Sequence, residues 1–386
     1  MTVHLITSSS GFPNGTAAAN RIKMIGLSLT EVGCQFKVYS NSVEYNKLNC
    51  TPNGLWNEIK YTYLHGQIKL NTSKIKKLLI YFKGVIRLNK VLQSLNSKDD
   101  IIYLYAQSEM FNLYTVLFCK LYKLKVVQEI NEWHSELQFS YERFIRNYIM
   151  VRYSDGAIVI SKEIDNKVKE RNKNIKTITV PVLQSPNFNF KKSDKNIKPY
   201  CFWMGLINAY IKDVIFIIEG CGVAFSNNID FDVVLSGPYS MESKNKILET
   251  AQRVKFPIEN IKFLGYIDEK SLNEHCSNAY FYIIPMWNDQ RSQSRFPTKL
   301  ASFMFVGKPV ITAKVGELGQ LLTDDDNILF YECADKNSLA KKIVILFKDD
   351  ILYDSLSQNS KKFALNTFNY KIYGNQLKCF FESFLI

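Results

Sequence analysis

Val3-His4-Leu5-Ile6-Thr7-Ser8-Ser9-Ser10-Gly11-Phe12-Pro13-Asn14-Gly15-Thr16-Ala17-Ala18-Ala19-Asn20-Arg21 changes character twice. Val3–Ser8 reads as a buried strand. The serines and glycines then break it, and apolar residues recur at helical spacing from Thr16 to Val32. Glycines at a strand-to-helix turn let the backbone approach a ligand, and the free amides of the helix start favour an anion. A plain tight turn is the alternative. The turn is not GxGxxG, and Val38-Tyr39-Ser40 ends the second strand without an acidic residue, which disfavours NAD.

The same alternation continues outward. Gln35–Ser40, Asp100–Tyr105, Lys125–Glu129 and Gly156–Ile160 read as strands; Lys74–Leu92, Leu113–Leu121 and Ser135–Arg152 read as helices. That is a parallel sheet covered on both faces. Pro181–Pro199, with three prolines and no periodicity, reads as a linker. A second alternation follows, with strands Tyr200–Gly205, Phe231–Ser236, Ile261–Leu264, Tyr280–Pro285, Pro309–Thr312 and Ile328–Tyr331. Helices Val214–Gly220, Lys244–Val254, Leu272–Cys276 and Lys299–Val306 lie between them, and a helical region runs on from Asp335. With 386 residues, one core is too small an account of the chain. The expected domains are 1–182 and 183–365, with a C-terminal helix at 366–386 packing back toward the first.

Composition narrows the function. Hydrophobic residues at 46% and charged residues at 22% describe a folded globular protein. The eight cysteines show no CxxC spacing and no cluster with histidine, which argues against a zinc site or disulfide framework. No signal peptide is expected at the start and no apolar run is long enough to span a bilayer, so a cytoplasmic or peripheral protein is expected. Net charge is +13 overall and +11 within residues 1–190. Such a basic half suits an anionic membrane face or a phosphorylated substrate, or is simply a lysine-rich surface. No nucleic-acid module is recognisable. The absence of a Gly-Lys-Ser/Thr loop disfavours ATPases and kinases.

Two stretches of the second half carry chemistry. Cys201-Phe202-Trp203-Met204-Gly205 ends a strand and precedes Lys212-Asp213, where a lysine can neutralise a diphosphate. Arg291-Ser292-Gln293-Ser294-Arg295-Phe296-Pro297-Thr298-Lys299 is a polar, basic loop opening a helix that Gly307 should end. Asp324-Asp325-Asp326 contains a DxD pattern but reads as a solvated turn. The four histidines read as structural or surface residues, although His134 lies near Glu132.

Taken in order, these blocks resemble a family 4 retaining glycosyltransferase. The resemblance rests on Gly11–Gly15 with Ala18-Ala19-Asn20-Arg21, on Val127–Glu132, and on Ser154–Ser161. It also rests on Gly205 with Lys212-Asp213, on Phe263-Leu264-Gly265-Tyr266, and on Phe296–Lys299 with Gly307–Ile311. It implies the GT-B fold, an α/β architecture of two Rossmann-like domains facing across a cleft, the first binding acceptor and the second the nucleotide sugar. It implies a metal-independent hexosyltransferase without cofactor, using a nucleoside-diphosphate sugar. The acceptor would be a glycan or a polyprenyl-diphosphate-linked glycan, in capsule, O-antigen, lipopolysaccharide or exopolysaccharide synthesis. Asn131 would stand where many relatives carry a histidine near the transferred sugar, flanked by Glu129 and Glu132. Asn131, Glu129 and Lys212 are the catalytic candidates. Gly15, Lys212, Arg295, Phe296, Thr298, Lys299 and Ser302 are the donor-binding candidates, and Asn14, Arg21 and Glu132 the acceptor-binding ones.

The chain departs from that pattern at three places. The family's two glutamates, the second of which holds the donor ribose, align with Ser294 and Ser302, and Leu206 stands where an arginine is usual. Two alternatives therefore stand: a nucleotide-sugar epimerase of the same architecture, or a degenerate transferase serving as a scaffold. Glu44–Gln67 is expected to be an acceptor-side loop. In Lys74–Leu92, the stripe Ile75, Leu78, Leu79, Phe82 and Ile86 is expected to be core. Its flank of Lys76, Lys83, Arg87 and Lys90 would rest either in solvent or on anionic headgroups.

Overall fold

The computed structural model describes residues 1–8, 11–15, 17–42, 49, 51–66, 73–105, 109–133, 140–186 and 197–385. The expectations placed on Ser9, Ser10, Thr16, Cys50 and His134 lie outside these. So do those on the start of Ser135–Arg152, parts of Glu44–Gln67 and the middle of Pro181–Pro199.

In chain order the first elements are β1 (Thr2–Thr7), α1 (Ala17–Thr30), β2 (Gln35–Ser40), β3 (Asn53–Trp56), β4 (Ile59–Tyr63), α2 (Lys74–Gln93), β5 (Asp100–Leu104), α3 (Glu109–Leu121) and β6 (Lys125–Ile130). Then come α4 (Tyr141–Phe144), a π-helix over Ile145–Met150, α5 (Val151–Tyr153), β7 (Gly156–Val159), α6 (Lys162–Arg171) and β8 (Lys176–Thr179). The second series is β9 (Tyr200–Met204), α7 (Ile211–Phe225), β10 (Asp232–Ser236), α8 (Met241–Arg253), β11 (Ile261–Gly265), α9 (Glu269–Asn278), β12 (Phe281–Ile284), α10 (Gln290–Ser294), α11 (Thr298–Val306), β13 (Val310–Ala313), α12 (Leu318–Leu321) and β14 (Leu329–Tyr331). The chain closes with α13 (Lys336–Lys348), α14 (Asp350–Thr367) and α15 (Gly374–Glu382).

These elements form two compact units: residues 1–185 with 294–296 and 369–386, and residues 186–293 with 297–368. The first holds an eight-stranded sheet in the order β3-β4-β2-β1-β5-β6-β7-β8, parallel except for β3 against β4. Alternation on β1 sorts its side chains. Val3 and Leu5 join Ile22, Ile25 and Leu29 of α1 and Leu377 and Phe381 of α15 on one face. Ile6 joins Leu88 and Leu92 of α2, Phe111 and Val116 of α3, and Met150 on the other. The C-terminal segment is held to α1 by polar contacts too: Ser28 Oγ donates to the Tyr370 carbonyl at 2.8 Å and the Tyr370 hydroxyl to Glu31 at 2.6 Å.

The second unit is a six-stranded parallel sheet in the order β11-β10-β9-β12-β13-β14. The chain leaves β9 toward β10 and β11, then returns to its other side at β12. This creates a switch point between β9 and β12, where open α/β sheets bind ligands. Short polar side chains start its helices: Ser240 accepts from Ser243 N–H, Asp268 from Ser271 N–H, and Asp335 from Asn337 and Ser338 N–H. Gly307 ends α11 as expected, in the left-handed region at φ +73°.

Three expectations need correction. Glu44–Gln67 is not simply a loop, since its described part includes the hairpin β3–β4. Asn57 and Glu58 turn it with φ of +42° and +67°, the consecutive left-handed pair of a type I′ two-residue hairpin. Ser135–Arg152 is not one regular helix, because its described part carries a π-helical segment between short α-helical turns. The α2 stripe is not core. Ile75, Leu78, Leu79, Phe82 and Ile86 are all exposed, and the helix instead buries Gly84, Leu88 and Leu92. Leu88 and Leu92, at about 1.5–3 kcal/mol each, seat the helix together with the partly buried Tyr81, Val85 and Val91. Helix α6 and strand β8, which the sequence pattern did not reveal, complete the first unit.

Candidate functional site

In the first unit the turn after β1 is held from below. Asn49 reads both sides of the Asn14 peptide, accepting from its N–H at 3.0 Å and donating to its carbonyl at 2.9 Å. The Asn49 amide also reaches the Tyr63 hydroxyl at 3.1 Å, and that hydroxyl donates to the Phe12 carbonyl at 3.1 Å. Burial pushes the Tyr63 hydroxyl up to about 12, so it stays a donor. A side chain at Gly11 would displace the Asn49 amide, because an added Cβ would lie 2.2 Å from its Nδ2; at Gly15 it would lie 2.5 Å from the Gly11 carbonyl. Gly15 and Asn14 thus sit on a braced turn, with Gly15 exposed.

Arg21 and Glu129 come together, but inside the protein. Arg21 Nε donates to Glu129 Oε1 at 3.1 Å, and its other nitrogens donate to the Val180 carbonyl at 2.8 Å and to the Pro181 carbonyl. The second Glu129 oxygen accepts from the Tyr103 hydroxyl. The Glu129 side chain has no solvent exposure. Burial raises its carboxyl above the usual range, against the opposing pull of Arg21. Asn131, just past β6, differs: its amide donates to the Tyr105 hydroxyl at 2.8 Å, while its buried Oδ1 meets no donor among the described residues. Glu132 follows, half-buried. Nearby in the same unit, Ser161 Oγ caps α6 and donates to the Ser294 carbonyl at 3.0 Å, and Ser294 Oγ donates to the Trp133 carbonyl at 3.5 Å. Arg295 and Phe296 belong to this unit as well, with Phe296 buried.

The second unit gathers two lysines at the strand ends of its switch point. Lys212, exposed in the first turn of α7, places Nζ 3.6 Å above the ring of Trp287, which follows β12. Trp287 is itself fixed. Its Nε1 donates to Asp213 Oδ1 at 2.7 Å and its ring meets Phe216 edge-on at 5.3 Å. Adjacent residues of one helix therefore hold the ring and use its face. Lys299, in the first turn of α11, donates to the Met204 carbonyl and lies 4.4 Å from the Trp203 ring and 5.7 Å from that of Tyr210. Helix α11 is seated by Phe303, stacked on Tyr282 of β12 at 3.8 Å. Thr298 is exposed at its start, in the first turn, whose amides carry the positive end of the helix dipole, and Ser302 lies one turn on, half-buried.

Glycines let the loops of this unit interlock. A Cβ on Gly237, at φ +129°, would lie 1.8 Å from the Gly205 carbonyl oxygen. The Gly237 amide donates to the Gly265 carbonyl at 2.7 Å, and the Gly205 amide to that of Ser236 at 2.9 Å. The DxD carboxylates are already engaged: Lys342 pairs with Asp324 at 3.0 Å and Asp325 at 2.9 Å, and Asp326 accepts from Asn359 at 2.8 Å. Sequence reading found Lys212 and Lys299 but missed Asp213, Trp287, Trp203 and Tyr210 as their supports. The available signal was Trp287, three residues past the apolar strand Phe281–Ile284.

Residues 198–349 match the family described as Glycosyl transferases group 1. A Methanocaldococcus jannaschii protein named as an uncharacterised glycosyltransferase is 28% identical over 233 residues, covering 57% of this chain. The chain spans 60% of the length of that curated relative. Among solved structures, sucrose-phosphate synthase of Thermosynechococcus elongatus superposes with a TM-score of 0.75 at 15% identity, over 99% of this chain and 98% of that one. HepE of Anabaena, solved in complex with UDP, gives 0.69 at 14% identity, over 99% and 100%. The fold is thus the GT-B type, with two parallel-sheet domains.

Proposed function

We propose that this chain, whose residues 198–349 carry a Glycosyl transferases group 1 domain, transfers a sugar from a nucleoside-diphosphate donor to a hydroxyl of a glycan. The acceptor we assign is a growing, lipid-linked surface polysaccharide at the inner face of the cell membrane. The observation that carries the reading is the Lys212–Trp287–Asp213 assembly at the switch point of the second unit. A cation held over an indole at the carboxyl ends of parallel strands suits a diphosphate beside an aromatic surface. The start of α11, at Thr298 and Lys299, adds partial positive charge to the same unit. HepE, which shares the fold, holds UDP.

In the retaining scheme, the leaving diphosphate remains on the face the hydroxyl attacks. The C1–O bond to diphosphate breaks, the hydroxyl oxygen bonds C1, and its proton passes to the departing diphosphate oxygen. No strong protein base is required, and charge stabilisation on the diphosphate does the work. Lys212 and the α11 amides take that role, without a metal. In the first unit, Asn131 offers an unsatisfied carbonyl oxygen to a sugar hydroxyl, and Asn14, Gly15 and Glu132 lie on loops at its strand ends. Glu129 and Arg21 we assign to positioning, since each is consumed by the other and by neighbouring groups.

The test is nucleoside-diphosphate release from a panel of nucleotide sugars, with and without an oligosaccharide acceptor. Acceptor-dependent release, lost by at least tenfold in Lys212→Ala, is the expected result. Release without acceptor together with a changed sugar would favour the epimerase, and full release by Lys212→Ala would remove Lys212 from the reaction. Ser302, where the family carries its ribose-holding glutamate, favours a second reading, a scaffold without turnover. Failure of every nucleotide sugar to raise the melting temperature would support that reading.

A further inference from the structure

The exposed stripe of α2 is a surface without a role in the fold. Ile75, Leu78, Leu79, Phe82 and Ile86 are between 53% and 74% exposed and recur at helical spacing, so they form one strip along a helix about 30 Å long. Gly84, Leu88 and Leu92 face the opposite way, into the core. Lys76, Lys83, Arg87 and Lys90 run along one edge of the strip, Lys74 lies on the other, and the helix contains no acidic residue. Arg87 also ties α2 to the body of the unit, donating to the Leu64 carbonyl at 3.0 Å.

The strip is not isolated. Helix α3 lies beside α2 in the same layer, joined through Tyr122 and Asn89 at 2.8 Å and through the rings of Tyr81 and Phe111 at 6.0 Å. It exposes Met110, Leu117 and Leu121. The helical stretch after it exposes Tyr141, Phe144, Tyr148 and Tyr153 and carries Arg143, Arg146 and Arg152. More than half of the large apolar side chains exposed among the described residues lie on these segments. Exposed apolar surface on this scale marks an interaction face.

We propose that the outer face of α2, continued by α3 and Tyr141–Tyr153, docks on an anionic lipid bilayer. Charge decides the occupant. An apolar strip bordered by cations matches the boundary where acyl chains meet negative headgroups. A second copy of this helix would instead bring the five cations that border the strip against five of the same sign. No helix among the described residues is long and apolar enough to cross a membrane, so α2 lies in the interface plane. The inference does not depend on sugar transfer, since lipid binding is measured without donor or acceptor. Where transfer also holds, docking brings the first unit to a lipid-tethered acceptor.

The experiment is flotation of the full chain with phosphatidylcholine vesicles, with and without phosphatidylglycerol. At low salt the chain should partition at least tenfold more strongly to the anionic vesicles, and the preference should fade as salt rises. Lys76→Ala/Lys83→Ala/Lys90→Ala should weaken binding by about fivefold per lysine. Leu79→Asp/Phe82→Asp should weaken it at least tenfold. Because these side chains are exposed, both variants should keep the parent circular dichroism spectrum and melting temperature. Equal partition of either variant and the parent would overturn the proposal. So would a parent that ignores anionic vesicles but forms a dimer dispersed by Leu79→Asp/Phe82→Asp, which would make the strip a self-association surface.

Discussion

Trp287 and Glu129 show how differently two residues at strand ends are used. Trp287 is oriented by one neighbour on α7 and presents its face to the next, so its ring works as a support for Lys212. Trp287→Phe removes the N–H that orients the ring while keeping an aromatic face. The account expects the donor KM to rise about threefold to tenfold with little change in melting temperature, as steady-state kinetics and calorimetry would show. Glu129 is the opposite case. Glu129→Gln leaves Arg21 as a buried cation without its carboxylate, which should cost about 3 kcal/mol and lower the melting temperature by roughly 6–12 °C. Donor affinity of the folded protein should be unchanged. An unaltered melting temperature with abolished transfer would return Glu129 to the reacting atoms. The sequence placed Glu129 at a strand end but not its role, which depends on Tyr103, Val180 and Pro181, remote in the chain. Trp287 drew no notice because its partners Lys212 and Asp213 lie on a helix more than seventy residues earlier.

At the scale of elements, the glycine loops closing the second unit's strands carry the sharpest prediction. Gly237→Ala forces a carbon against the Gly205 carbonyl and should both destabilise the unit by about 1–3 kcal/mol and weaken donor binding. Gly33→Ala is the control. It is also left-handed, at φ +82°, but an added carbon there meets nothing within 4 Å, so it should cost about 1–2 kcal/mol and spare donor binding. Thermal melts and nucleotide titrations of both variants would separate strain from site geometry. Most strands were legible because parallel strands buried on both faces leave continuous apolar runs, as in Phe281-Tyr282-Ile283-Ile284. The β3–β4 hairpin was hidden because its first strand, Asn53-Gly54-Leu55-Trp56, is short, exposed and poor in β-formers. The partner strand's alternation, Ile59, Tyr61 and Tyr63 inward, was the signal overlooked. Helix α2 misled for a different reason: periodicity finds an apolar face but cannot say whether protein covers it.

For the whole molecule, burial of three histidines sets a pH dependence. His4, His65 and His275 are each held below the ordinary imidazole range, chiefly by desolvation; at His4 this outweighs the nearby Asp100 carboxylate. The unfolded chain takes up these protons near pH 6.5, before the folded chain does. Their contribution is therefore present above that value and lost as pH falls through the folded-state values. The melting temperature should drop between about pH 7 and about pH 5, and a flat profile would show that the imidazoles are not buried as neutral groups. Two parallel sheets, one with a switch point furnished with lysines on aromatic rings, make the central claim one about nucleotide binding. Isothermal titration of UDP, GDP, ADP and dTDP into the chain and into Lys212→Ala tests it most directly. The account predicts saturable binding of at least one nucleoside diphosphate, weakened at least tenfold in the variant; no binding by any of the four, or equal affinity for parent and variant, would contradict it.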